Sequence, residues 1–343
     1  MNSVLVSNNK IFPFLVLLAF YLHNLCAGPN DSFLQKPSEC MQHSVGKWAV
    51  TADGMAWLAS EEVSSIWADV IAEDHDAINI NVPSFKFKWD YGFRLGLGSH
   101  LLHDQWDTVF YWTRFCTDAH HSLSSIVQLV PAQEFFAGFL SGDNPNRMSA
   151  SWRLSFNLAD WELGRSCCIS ERLSLRPFLG IKVGSINQSI CAQYDGLIID
   201  EVVTNNSGTE HLKNNFFGIG PSGGVNSTWT ICNYKSHFFT LFGDVATAVL
   251  WGTWTCSDVY KNNLSYTSSV NTKKSSLGSL ACRGFMGIAW DTNFNADKAH
   301  FTAKIGYEMQ FWLNQLRINT FQLQRLQEDL TLQGITFSWR VDF

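Results

Sequence analysis

Past its N-terminal segment the sequence lacks any run of eighteen or more apolar residues, so no mature part of it reads as a transmembrane helix. Sustained helical periodicity is missing as well; only 64–78 and 318–330 carry spacing suited to short helices. Proline is scarce, with 8 in 343 residues, and charged residues make up only 16%. No CxxC pair occurs, so no zinc cluster is expected. No basic excess exists either: 24 Lys and Arg face 30 Asp and Glu, which argues against a nucleic-acid partner. What the chain has instead is aromatic mass, 14% of its residues with 14 Trp and 26 Phe, a composition suited to many strands.

The N-terminus reads as an export signal. Lys10 is its only charge, Ile11 to Leu22 form an apolar core, and Ala27 offers a small residue for cleavage. The expected organisation is a cleaved signal peptide over 1–27 and one domain over 28–343. Loss of Lys10 moves the net charge from -6 to -7. Eight cysteines then remain: Cys40, Cys116, Cys167, Cys168, Cys191, Cys232, Cys256 and Cys282. An even count in an exported chain points to disulfides, within the chain or between chains.

The stretch "SFKFKWDYGFRLGLGSHL", Ser84 to Leu101, alternates strictly. Phe85, Phe87, Trp89, Tyr91, Phe93, Leu95 and Leu97 take one face of a strand, and Lys86, Lys88, Asp90, Gly92, Arg94, Gly96 and Gly98 take the other. Ala299 to Asn314 and Arg172 to Gly184 repeat the pattern, with Trp312 out of phase in the first. In Ser149 to Gly164 the apolar residues are Ala150, Trp152, Leu154, Phe156 and Leu158, then Trp161 and Leu163. That change of parity predicts a bulge near Ala159 and Asp160.

Strand length decides what the oily face touches. Phe85 to Leu97, at roughly 3.3 Å per residue and a tilt near 40°, rises roughly 33 Å, enough to cover an apolar band of about 25 Å. Strands of soluble sandwiches need only about five or six residues. Backbone in lipid has to be fully paired, so a spanning sheet closes on itself. The expected fold is an all-β, antiparallel transmembrane β-barrel of about 12–16 strands with long extracellular loops. The C-terminal "LTLQGITFSWRVDF" puts Ile335, Phe337, Trp339, Val341 and Phe343 on one face. It looks like the closing strand of bacterial outer-membrane barrels, whose terminal aromatic residue is read by the barrel-insertion machinery.

"VTADGMAWLA", "YGFRLGLGSHLLHDQWDTVFYWTRF", "DWELGRSCCISERLSLRPFLGIKVG", "NFFGIGPSGGVNSTW", "IAWDTNFNADKAHFTAKIGYEMQFWLNQ" and "LTLQGITFSWRVDF" occur in order from about residue 48 to the end. Together they resemble the Legionella major outer membrane protein family and the porin-like outer-membrane proteins of chlamydia-like bacteria. The resemblance implies a β-barrel of the cell outer membrane, monomeric or oligomeric, acting as a porin and abundant envelope component, with cysteines that cross-link the envelope. It brings no catalytic residues and no cofactor.

The expected function is passive diffusion of small hydrophilic solutes. The face opposite the lipid is assigned Lys86, Lys88, Arg94, Arg153, Arg172, Arg176, Lys182, Lys304 and Arg340 against Asp90, Glu308 and Asp342, a cationic excess that predicts a mild anion preference. The alternative is a structural, disulfide-linked envelope protein or surface adhesin with a plugged lumen. Expected partners are outer-membrane lipid, the insertion machinery, small solutes, and either further copies of the chain or disulfide-linked envelope proteins.

Three stretches bear on chemistry. "GPSGG", Gly220 to Gly224, matches the nucleophile-elbow string, but that elbow needs a strand-to-helix turn and the surrounding run alternates as a strand. The His and Asp residues of Ser99 to Asp107 and Thr117 to His121 read as polar groups at a barrel rim. Glu73 to Asp76 lacks the geometry of a cation loop, so no metal site is expected.

Overall fold

The computed structural model describes residues 47–61, 68–74, 77–81, 84–101, 105–124, 128–131, 145–199, 202–234, 237–263, 265, 267–294, 299–319 and 325–343. The proposed signal segment and Cys40 lie outside these residues. The described chain forms β1 (Trp48–Ser60), β2 (Ala68–Asp74), β3 (Ala77–Asn81), β4 (Trp89–His100), β5 (Trp106–Ser124), β6 (Gln128–Pro131) and β7 (Arg147–Arg165). It continues as β8 (Cys167–Cys168), β9 (Leu173–Ile199), β10 (Val202–Tyr234), β11 (His237–Asn262), β12 (Thr267–Phe294), β13 (Ala299–Asn319) and β14 (Arg325–Asp342). Where 64–78 and 318–330 are described they are strand, not the short helices their spacing suggested. Among the described residues no helix is long and apolar enough to cross a membrane.

Ten of the fourteen strands close a ring in the order β1-β4-β5-β7-β9-β10-β11-β12-β13-β14, and β14 pairs back onto β1. Every neighbour in the ring is antiparallel, so the ring of described strands closes on itself as a sheet in lipid must. The other four strands stand outside the ring. β2, β3 and β6 form a small separate sheet, and β8 adds two residues to the edge of β9. The fourteen strands fall within the expected number, but the barrel wall itself is narrower.

Lipid contact is legible in the exposed aromatics. Trp89, Tyr91, Phe93, Leu95 and Leu97 on β4, Ile305, Tyr307 and Phe311 on β13, and Ile335, Phe337, Trp339 and the terminal Phe343 all face outward and are exposed, Tyr91 at 85%. They lie toward the end of the barrel where β4–β5, β7–β9, β10–β11 and β12–β13 connect and where Trp48 pairs with Phe343. Short turns mark the periplasmic side of such barrels.

Above this belt the barrel turns inside out. Trp57, Trp152, Leu154, Phe156, Tyr194, Phe216, Leu250, Trp254, Trp312, Leu330 and Leu332 all point inward and are essentially buried, forming one apolar core inside the extracellular half. Edge-to-face contacts knit it together, Phe156 to Trp312 with ring centres 5.5 Å apart and Phe87 to Trp152 at 5.2 Å. Three sequence readings change here. Phe85, 3% exposed, and the half-buried Phe87 belong to this core, not to lipid, so the lipid-facing row of the long alternating run begins at Trp89. β7 has no bulge near Ala159: its register runs unbroken against β5 and β9, and Ala150 to Leu158 face the interior. Trp312 keeps the inward parity of Glu308 and Gln310; the irregularity in β13 comes just after it, where Asn314 adopts φ 50°.

Candidate functional site

The periplasmic half of the lumen is polar. Arg94 on β4 sits between two carboxylates from opposite sides in sequence: Nη2 donates to Glu308 Oε1 at 2.7 Å, Nη1 to Asp53 Oδ2 at 3.0 Å, and Nε to the Thr113 hydroxyl at 3.0 Å. Glu308, with no exposed surface, also accepts from Gln310 Nε2 at 3.0 Å and from the Thr336 hydroxyl at 3.1 Å. The Trp57 indole in turn donates to Thr336 at 3.1 Å, which ties the network to the apolar core above it. A buried ion pair holds only when its remaining hydrogen-bonding capacity is met, and side chains from five strands, β1, β4, β5, β13 and β14, make up this network.

A second cluster lies nearer the periplasm. Arg176 on β9 binds Asp107, Glu162 at 3.2 Å and the Asn226 side chain at 2.8 Å, while Lys182 pairs with Asp160. At the mouth, Arg340 Nη2 donates to Asp342 at 2.7 Å, and the same carboxylate meets His100 Nε2 at 3.2 Å and His300 Nδ1 at 3.4 Å. The Lys304 ammonium stands 5.0 Å from the Phe242 ring centre. Between these groups is a mouth cavity of about 750 Å³ and an inner cavity of about 230 Å³, both lined by Arg176, Lys304 and Arg340. Among the described residues no group of His, Cys, Asp and Glu is arranged to hold a metal ion.

A ten-strand ring that is apolar outside and ionic within is an outer-membrane architecture, and the comparison of sequence families agrees with it. The family described as the Legionella pneumophila major outer membrane protein precursor matches residues 42–343. The chain belongs to that family. None of the curated proteins matches this chain. Solved structures similar to it include the outer-membrane protease OmpT of Escherichia coli, at 10% identity over 87% of this chain and 96% of that one, with a TM-score of 0.36. A Pseudomonas aeruginosa FadL homologue is 7% identical over 86% and 90%, with a TM-score of 0.30. Ail, the attachment invasion locus protein of Yersinia pestis, is 8% identical over 86% and 98%, with a TM-score of 0.23.

The inward faces of the ring collect Arg94, Arg176, Lys182, Lys304, Glu308 and Arg340, with Asp90 half-buried and accepting from Thr117. Arg172 lies in the exposed turn before β9, lining the mouth cavity. Lys86, Lys88 and Arg153 are not in the lumen: all three are exposed, and Lys88 pairs at 3.3 Å with Asp118 on the outer wall. The apolar residues of 84–88 and of upper β7 turn toward the core and not toward lipid, which sends the charged residues between them outward. Asp53, Asp107, Asp160, Glu162, Asp244 and Asp291 are the acids that reading missed, and Arg283 the cation. With them counted, the cationic excess behind the expected anion preference disappears. The signal was present in "ADWELG", once Asp160 and Glu162 are set on the face of Leu158.

Among the described residues Cys116, Cys167, Cys191, Cys256 and Cys282 form no disulfide within the chain, so the within-chain part of the disulfide expectation does not extend to them. Cys168 and Cys232 are the two described cysteines without a free thiol. Val341, in the terminal insertion pattern, is half-buried while its companions are exposed.

Ser222 sits in the middle of β10 with strand on both sides, so no elbow forms around it. Its neighbouring glycines answer to backbone approach: a Cβ at Gly220 would run into the Val249 carbonyl oxygen, and one at Gly224 into that of Val245. Gly220→Val is therefore expected to abolish the folded barrel, read as loss of the compact band on unheated SDS gels. Gly284→Ala, with nothing within 4 Å of the added carbon, is expected to leave that band unchanged.

Proposed function

We propose that this protein is a sealed outer-membrane barrel, a structural envelope protein whose extracellular column is its working surface. The observation that supports this reading is the apolar core filling the upper lumen, from Trp57 and Trp152 across to Trp254 and Trp312. A ring of ten strands is close to the size, about eight, at which side chains fill the interior, and far from the about sixteen that leave an aqueous channel. Below the core, the Arg94 and Arg176 clusters occupy the space with paired ions. Cys168 and Cys232, near the periplasmic turns, are the cysteines proposed to enter disulfides.

The second reading, a diffusion porin, draws on the polar mouth cavity, which would conduct only if the core above it were displaced. Planar-bilayer recording of the refolded, reduced protein separates the two. No resolved current steps are expected over long recordings at either polarity. Regular steps of one size would reject the sealed barrel and establish the porin.

A further inference from the structure

Beyond the aromatic belt the outer wall of β5, β7, β9 and β10 carries an uneven charge. Arg114 is the next outward side chain beyond Trp112 on β5, Lys213 the second beyond Phe217 on β10, and Arg153 the fourth beyond Trp161 on β7. All three are exposed, and no ion pair reaches them among the described residues. Arg153 and Lys213 lie on one hydrogen-bonded row with Ser189 between them, which at strand spacing places their backbones about 10 Å apart. The positions around them include the hydroxyls and amides of Asn157, Ser155, Ser185, Asn187 and Asn215, beside Cys116, Cys191 and His211. Asp118, the acid facing Arg153 across the β5–β7 ladder, is bound to Lys88.

Charges left unpaired on a wall that crosses a membrane, just past the apolar belt on the extracellular side, meet lipid headgroups before they meet bulk water. We propose that this strip binds a phosphorylated glycolipid of the outer leaflet, with Arg114, Arg153 and Lys213 on its phosphates and the intervening Ser and Asn side chains on its sugar hydroxyls. Arginine forks match phosphate oxygens in pairs, and separated cations suit phosphates at the two ends of a disaccharide better than one free ion. Acyl chains of the same lipid would then lie on Trp112, Trp161 and Phe217, which are exposed directly below. A single juxtamembrane cation contributes modestly, so the site works through the three together.

The test uses the full-length protein refolded in detergent, with diphosphoryl lipid A as probe and native mass spectrometry plus titration as readout. Saturable binding of the diphosphoryl lipid is expected, weakened about tenfold in the triple variant Arg114→Gln, Arg153→Gln, Lys213→Gln. The dephosphorylated lipid is expected to bind wild type and variant alike, at the weaker level. Equal affinity of wild type for the two lipids would overturn the proposal, as would displacement of the lipid by inorganic phosphate at equal concentration. Should the triple variant fail to fold, the comparison of the two lipids on wild type decides alone.

Discussion

Arg94→Met is expected to lower the unfolding free energy by about 3–5 kcal/mol, the largest effect of any single charge removal in the lumen. The substitution leaves Glu308, wholly buried, and Asp53, nearly so, facing each other without the cation between them. Desolvating a carboxylate is repaid only by a partner, and Gln310 and Thr336 supply hydrogen bonds but no positive charge. Denaturant unfolding in detergent, followed by tryptophan fluorescence, measures the loss. The double variant Arg94→Met, Glu308→Gln is expected to recover at least about 1 kcal/mol over the single one, because it removes the more buried stranded charge. A double variant less stable than Arg94→Met would show that the network is not organised around this pair.

Trp152→Ala is the second, with an expected loss of about 3–5 kcal/mol. The indole is fully buried against Phe87 in the extracellular half, and its removal leaves a large cavity that a closed ten-strand ring cannot collapse around. Arg153→Ala, one residue on and facing out, is expected to change stability by no more than about 0.5 kcal/mol. This pair also tests the direction of upper β7. Were Trp152 on the outer wall, the two substitutions would differ little.

That strand shows where sequence reading succeeds and where it stops. β4, β13 and β14 were legible because their alternating stretches lie at bilayer depth, where apolar means outward. β7 crosses two solvents. At bilayer depth Trp161 and Leu163 face lipid, and above it Trp152 to Leu158 face the core, so the apolar parity reverses with no break in the backbone. Read with one rule, the reversal imitates a bulge and sends Arg153 to the wrong side. The same reversal misled the reading of Phe85 and Phe87. The buried acids were missed for a related reason: Asp53 and Asp107 lie in weaker alternation, and their facing follows only from the ladder partners β4 and β7, which no single segment encodes. The wall has fewer strands than the described chain because β2, β3, β6 and β8 are strands without being part of it.

The seam between β1 and β14 carries a kinetic consequence. Ala49 pairs with Asp342 and Ser60 with Thr331, so the contacts that complete the cylinder join the two most distant strands of the ring. Pairings this far apart in sequence make for slow assembly, since the entropy of closing so long a loop is spent before the contact rewards it. Until then both margins of the growing sheet stay open, and open margins invite pairing with other chains. Crowding with its own copies is therefore expected to harm this barrel most before its two outermost strands come side by side.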